Sequence, residues 1–200
     1  MLRVKRFALL VVLVVVANLP ATVAHRSAMK MLAISGSLRA QSTNTILLRA
    51  AALIASPRIQ ILLYEELDRI PPFNADLDVE PGSESVSRLR AMLRDADAVL
   101  FSTPEYAHGV PGALKNALDW VVKSGELSGK PVVLFNASAR GEYAQASLRE
   151  ILKTMDARLL SDAEITVPLL GKDFTPPDVA ADPQFAEVIL SSLEKIASGL

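Results

Sequence analysis

A short run near the start of the chain gathers a dense set of groups that bind anions. Gly36-Ser37-Leu38-Arg39-Ala40-Gln41-Ser42-Thr43-Asn44 follows the apolar run Met31–Ser35 and precedes a helix-like stretch. Gly36 permits a tight turn. The hydroxyls of Ser37, Ser42 and Thr43 can donate, and the free backbone N–H groups at a helix start attract an anion. Arg39 adds a charge and a forked donor suited to phosphate oxygens. A terminal phosphate monoester is the guest that fits such a loop. The run is neither GxxxxGK[ST] nor GxGxxG, so ATP hydrolysis and ordinary dinucleotide binding lack their signatures here. The plainer alternative is that Ser42 or Thr43 only caps the helix and Arg39 is solvated; the density of donors favours phosphate.

A second constellation runs from Pro104 through Glu105, Tyr106, Ala107, His108 and Gly109 to a helix-like stretch containing Leu114, Lys115, Leu118, Asp119 and Trp120. Leu114, Leu118 and Trp120 share one helix face and read as core or subunit contacts. Lys115 and Asp119 stand at i,i+4 and read as a surface pair rather than an acid–base couple. His108 is a lone loop histidine and is left outside the candidate site. With His25 it makes up the histidines of the chain, and Ser35-Gly36-Ser37 lacks the GxSxG elbow, so a hydrolytic triad has no support.

The chain contains no cysteine, which excludes disulfides, thiolate metal sites, iron–sulfur clusters and a nucleophilic thiol. Redox chemistry, if present, must come from a bound cofactor. The net charge of −1 hides an asymmetry: five of the 21 bases and none of the 22 acids lie in residues 1–30. The remaining 16 bases face 22 acids, a net of −6, with no basic stripe of the kind nucleic-acid binding requires. The first residues combine basic MLRVKR, the apolar run FALLVVLVVVA and Ala21-Thr22-Val23-Ala24, a pattern like a secretory signal cleaved after Ala24. The alternative, which is preferred, is that residues 1–30 are an extension ahead of a true start at Met29 or Met31. The domain is then residues 31–200, cytoplasmic and without a stable membrane partner; export is the alternative location.

These loops need elements to hold them. From Met31 onward, short apolar runs alternate with amphipathic stretches, the pattern of a doubly wound α/β domain with a five-stranded parallel sheet and helices on both faces. The expected strands are Met31–Ser35, Ile59–Tyr64, Ala98–Ser102, Val132–Asn136 and Ala163–Val167. Helical spacing is seen at Val86, Leu89 and Leu93, at Leu114, Leu118 and Val121, at Leu148, Ile151, Leu152 and Met155, and at Phe185, Val188, Ile189, Leu193 and Ile196. The stretch 45–55, apolar nearly all round, suits a deeply packed first helix. Ile70–Gly82 and Pro168–Pro183 read as loops, the first long enough to suggest a functional or partner-contacting role. Ligands of such sheets bind beyond the carboxyl ends of the strands, which directs attention to the loops after strands one, three and four.

The pair GSLRAQSTN and PEYAHGVPGALKNALDW, in this order and at these places, resembles the NADPH-dependent FMN reductase family, which includes bacterial quinone and chromate reductases. The likeness extends over essentially residues 31–200. It implies a flavodoxin-like fold, noncovalent FMN, NADPH (or NADH) as electron donor, and homodimers or homotetramers with the flavin near a subunit interface. Carried over by position, Gly36, Ser37, Arg39, Ser42, Thr43 and Asn44 belong to the phosphate end. Pro104, Glu105, Tyr106 and Ala107 line the isoalloxazine ring, much of it through main-chain atoms, and the loop Ser138-Ala139-Arg140-Gly141 closes the other side. Two departures stand out: many members have asparagine at the place of Ala107, and a glycine pair where this chain offers Gly141 alone.

The resemblance implies a reductase that takes electrons from NADPH through FMN to a flavin, quinone or similar small acceptor, with no catalytic side chain and no metal. One exposed flavin face serves donor and acceptor in turn. A flavodoxin-type electron carrier is the first alternative, although such carriers usually have a Thr-rich phosphate loop without the arginine. A flavin-free binding protein on the same fold is the second.

Overall fold

The computed structural model describes residues 28–79, 82–169, 171 and 173–199; residues 1–27, on which the leader-like reading rests, lie outside them. The apolar runs form strands β1 (Met29–Ser35), β2 (Ile59–Tyr64), β3 (Ala98–Ser102) and β4 (Pro131–Asn136). β1 starts two residues before the apolar run that announces it, because Met29 and Lys30 pair in register with Ile59 and Gln60. All pairings are parallel and the order is β2-β1-β3-β4, followed by a fifth position. That is the order of flavodoxin-like doubly wound sheets.

The fifth position departs from the expected single strand Ala163–Val167. Two fragments occupy it: β5 (Arg158–Leu159) pairs with the start of β4, and β6 (Ile165–Thr166) with its end. A 3-10 turn over Ser161–Ala163 separates them. Leu160 donates its N–H to Val132 before the chain leaves the ladder, and Val167 donates to Asn136 after rejoining it.

Alternation along the strands decides which helix covers which face. Leu32, Ile34, Val99, Phe101, Val132 and Leu134 point to one core. It is closed by α2 (Glu84–Asp95), α3 (Gly112–Val122) and α4 (Glu142–Thr154). Met31, Ala33, Leu100, Val133 and Phe135 point to the other. There the covering helices are α1 (Thr43–Ile54), α5 (Pro176–Ala181) and α6 (Pro183–Ser198). Helix α5 falls inside a stretch expected to be loop. Its start is fixed by a capping box, with Thr175 accepting from the Asp178 N–H and Asp178 accepting in return, and by proline in the first turn. Among the described residues no helix is long and apolar enough to cross a membrane.

Candidate functional site

The three loops expected to matter leave the carboxyl ends of β1, β3 and β4, which are neighbours in the sheet. Gly36 stands at the first of them, and space rather than a left-handed backbone explains it. A Cβ there would lie 2.2 Å from Thr103 Oγ1 and 2.8 Å from Thr103 Cβ. The glycine thus lets the β1 loop pass against β3, and its N–H continues the ladder to the Ser102 carbonyl at 2.8 Å.

Beyond Gly36 the loop is built by small hydroxyl residues. Ser35 Oγ accepts from Thr45 Oγ1 at 2.8 Å and from the Ser37 N–H at 3.3 Å, and Ser37 Oγ accepts from the Arg39 N–H at 3.3 Å. Ser42 is the N-cap of α1, yet its side chain makes no capping hydrogen bond. The first-turn amides of α1 therefore keep the anion-binding capacity of an uncapped helix start. Arg39 is exposed, with no side-chain partner among the described residues. Asn44 is buried, and its Oδ1 accepts from Ser102 Oγ at 2.9 Å. That bond fastens the first turn of α1 to the end of β3 and leaves Nδ2 as the donor.

After β3, the chain makes a tight two-residue turn. Tyr106 and Gly109 exchange both backbone hydrogen bonds, at 3.0 and 3.1 Å, with Ala107 and His108 at φ of 49° and 58°. Both central residues are left-handed, the geometry of a type I′ turn. Pro104 is half-buried, whereas Tyr106 and Ala107 are exposed. Glu105 turns its carboxylate to the neighbouring loop, where Oε2 accepts from the Ala144 N–H in the first turn of α4 at 2.9 Å. A side chain expected near the ring is thus a cap for the next helix, and its main-chain atoms are what remains for a ligand.

The β4 loop repeats the device of the β1 loop. Ser138 Oγ accepts from the Arg140 N–H at 3.0 Å, while the Ser138 N–H donates to Asn136 Oδ1 at 3.1 Å. Gly141, at φ 128°, takes a backbone conformation that side chains rarely adopt, and this lets the loop enter α4 without the expected glycine pair. His108 stacks on Tyr143 with ring centroids 4.2 Å apart and planes 14° from parallel. The two loops are therefore tied twice, by that stack and by Glu105.

Sequence reasoning did not single out Thr103, Ser102, Asn116 or Tyr143. Asn116 accepts from the Phe73 N–H at 2.7 Å and donates to the Pro71 carbonyl at 2.8 Å. Trp120 also donates to that carbonyl, at 2.8 Å. Together they dock the loop after β2 onto α3. Lys115 and Asp119 form the expected surface pair. The spacing of polar residues within the second motif was the available signal for Asn116, and it did not name the loop that Asn116 holds.

The profile of the family described as NADPH-dependent FMN reductase matches residues 29–169. The chain belongs to that family. Among its curated relatives is an NAD(P)H-dependent FMN reductase of Pseudomonas aeruginosa, 35% identical over 173 residues, covering 84% of this chain and 92% of the relative. A quinone reductase of Escherichia coli is 33% identical over 167 residues, covering 80% and 85%. Of the solved structures, a flavoenzyme NAD(P)H:(acceptor) oxidoreductase from Paracoccus denitrificans superposes with a TM-score of 0.67 at 24% identity, over 85% of this chain and 98% of that one. An archaeal flavodoxin reaches 0.54 at 16% identity, over 84% and 99%. At such identities these structures speak for the fold: the family member described here is flavodoxin-like.

Proposed function

We propose that this protein is an FMN-dependent NAD(P)H oxidoreductase that passes electrons from NADPH to a flavin, quinone or similar small acceptor. The observation that carries the reading is the phosphate loop: a helix start without a side-chain cap, with an arginine three residues ahead of its N-cap that has no side-chain partner among the described residues. The donors suit a dianionic monoester, which is what the phosphate of FMN presents. In this reading Gly36, Ser37, Arg39, Ser42, Thr43 and Asn44 form the phosphate end. Pro104, Glu105, Tyr106 and Ala107 line the ring on one side, and Ser138 and Gly141 on the other. The protein works in the cytoplasm as a homodimer or homotetramer.

FMN, when bound, supplies the hydride chemistry, and the protein supplies orientation and electrostatics. Backbone donors of the 104–109 and 138–141 loops favour negative charge on the reduced ring. The Glu105 cap and the His108–Tyr143 stack hold those donors in fixed relation. No side chain is required to move a proton.

The first test is the visible spectrum of the protein after incubation with FMN and desalting, repeated anaerobically with NADPH. Retained yellow absorption that bleaches is the expected result. Retention without bleaching makes the protein an electron carrier, and no retention favours a loosely bound flavin substrate or the flavin-free reading. Arg39→Ala is expected to weaken FMN binding about ten- to a hundredfold, the worth of a charge-assisted hydrogen bond. Hydride transfer in enzyme that stays loaded should change far less. Unaltered flavin retention in this variant removes Arg39 from the phosphate site.

A further inference from the structure

Nearly every cation in the described part of the chain is matched. Lysines and arginines on the helices and strand ends meet carboxylates, as in Lys30–Asp95, Arg49–Glu65, Arg94–Glu126 and Arg149–Glu164, or backbone carbonyls, as in Lys195 and Arg158. Three described arginines have no side-chain partner: Arg39, Arg58 and Arg140. Arg58 precedes β2 at the amino end of the sheet. Arg39 and Arg140 stand at the carboxyl end, in the loops that follow β1 and β4.

These two loops are built alike, each with a serine hydroxyl accepting from the N–H of an arginine two residues on. They serve different places, because β3 lies between β1 and β4. Two strand spacings put the loop bases roughly 10 Å apart. An anion held by Arg39 at the start of α1 leaves the Arg140 guanidinium for a second one. The acids beside this loop make no ion pair with it: Glu105, which faces Gly141, accepts from the Ala144 N–H, and Glu142, two residues on, is exposed. Three residues beyond Arg140 stands Tyr143, 59% exposed and stacked against His108, an aromatic surface held in place at the rim.

We propose that Arg140 determines specificity for the electron donor: it receives the 2′-phosphate of NADPH, with the Tyr143 ring as the platform for the adenine. The inference rests on the reductase reading. A phosphate monoester offers the forked guanidinium terminal oxygens in the matching geometry, and a 2′-phosphate is the group that separates NADPH from NADH. In this arrangement the Arg140 side chain acts on donor binding rather than on hydride transfer.

The experiment uses the full chain. Binding of adenosine 2′,5′-bisphosphate and of 5′-AMP is measured by titration calorimetry for the wild type, Arg140→Ala and Arg140→Lys, alongside kcat and KM with NADPH and NADH. The wild type should prefer the bisphosphate. Arg140→Ala should lose about ten- to a hundredfold in bisphosphate affinity and raise KM for NADPH to match. The ratio of kcat/KM for NADPH over that for NADH should fall by the same factor while 5′-AMP affinity holds, and Arg140→Lys should recover part of the loss. Equal losses with both nucleotides, or none with either, overturn the assignment, as does a wild type that does not distinguish bisphosphate from 5′-AMP. A wild type that neither retains FMN nor reduces added FMN with NADPH, yet shows the Arg140-dependent preference, fails the reductase reading and sustains the arginine site.

Discussion

Ala107 and His108 sit in the left-handed region without the glycine or asparagine that usually fills a type I′ turn. For an alanine this costs on the order of 1 kcal/mol. Ala107→Gly should relieve it and, after the entropy of the added glycine, raise stability by up to about 1 kcal/mol. An unchanged or lowered denaturation midpoint would contradict the strain. The asparagine common at this place in the family tolerates the same conformation, so the departure noted in the sequence has a backbone consequence besides a lost side-chain donor. Tyr64 carries a second prediction. Burial foremost, then the charge of Glu66, pushes its phenol up to about 12 from 10.0. The folded value is the higher one, so this contribution is full below the unfolded value and is lost as pH rises through the folded one. Tyr64→Phe should therefore flatten the alkaline loss of stability between about pH 10 and about pH 12. Urea midpoints of variant and wild type that fall in parallel across that window would refute it. At this scale the sequence disclosed residue types better than their partners. Arg39 was legible because its whole setting is local, whereas Asn44 and Glu105 answer to Ser102 and Ala144, 58 and 39 residues away.

Among the elements, the loop after β2 shows how one helix face organises a distant segment. Asn116 satisfies the Phe73 N–H and shares the Pro71 carbonyl with Trp120, and Phe73 meets the Trp120 ring edge-on at 5.2 Å. Asn116→Ala leaves the Phe73 N–H without its acceptor and the Pro71 carbonyl to Trp120 alone, a local cost of about 1 kcal/mol. Hydrogen exchange should accelerate in residues 73–77 while the sheet stays protected; equal protection there would show that Phe73 packing alone holds the loop. β1, β3 and β4 could be read from apolar runs because each is buried on both faces, and β2, the exposed edge, because most of its residues are apolar all the same. The fifth position could not, since two-residue fragments carry no period of their own and exist through pairing with β4. Helix α5 was passed over for its prolines, although Thr175-Pro176-Pro177-Asp178 spells a helix start. In α6, Ile189, Leu193 and Ile196 are buried as their spacing implies, but Val188 is 43% exposed, the edge of a stripe drawn too wide.

Taken as a whole, the molecule has its candidate ligand groups on one end of the sheet, and the described loops there enclose no second nucleotide fold. Donor and acceptor should therefore occupy one place in turn, and double-reciprocal plots at several acceptor concentrations should be parallel. Intersecting lines would require a ternary complex and a second site. The split fifth strand bears on a different property of the molecule. A continuous edge offers a row of unpaired amides and carbonyls onto which another chain can add a strand. Here one border of the sheet is broken into β5 and β6 by a helical turn, so that border offers no row long enough to template an incoming strand. The opposite border, β2, runs unbroken from Ile59 to Tyr64 with Leu62 exposed. If this protein aggregates through its native sheet, growth should proceed from β2 in one direction only, and a charge at Leu62 should stop it.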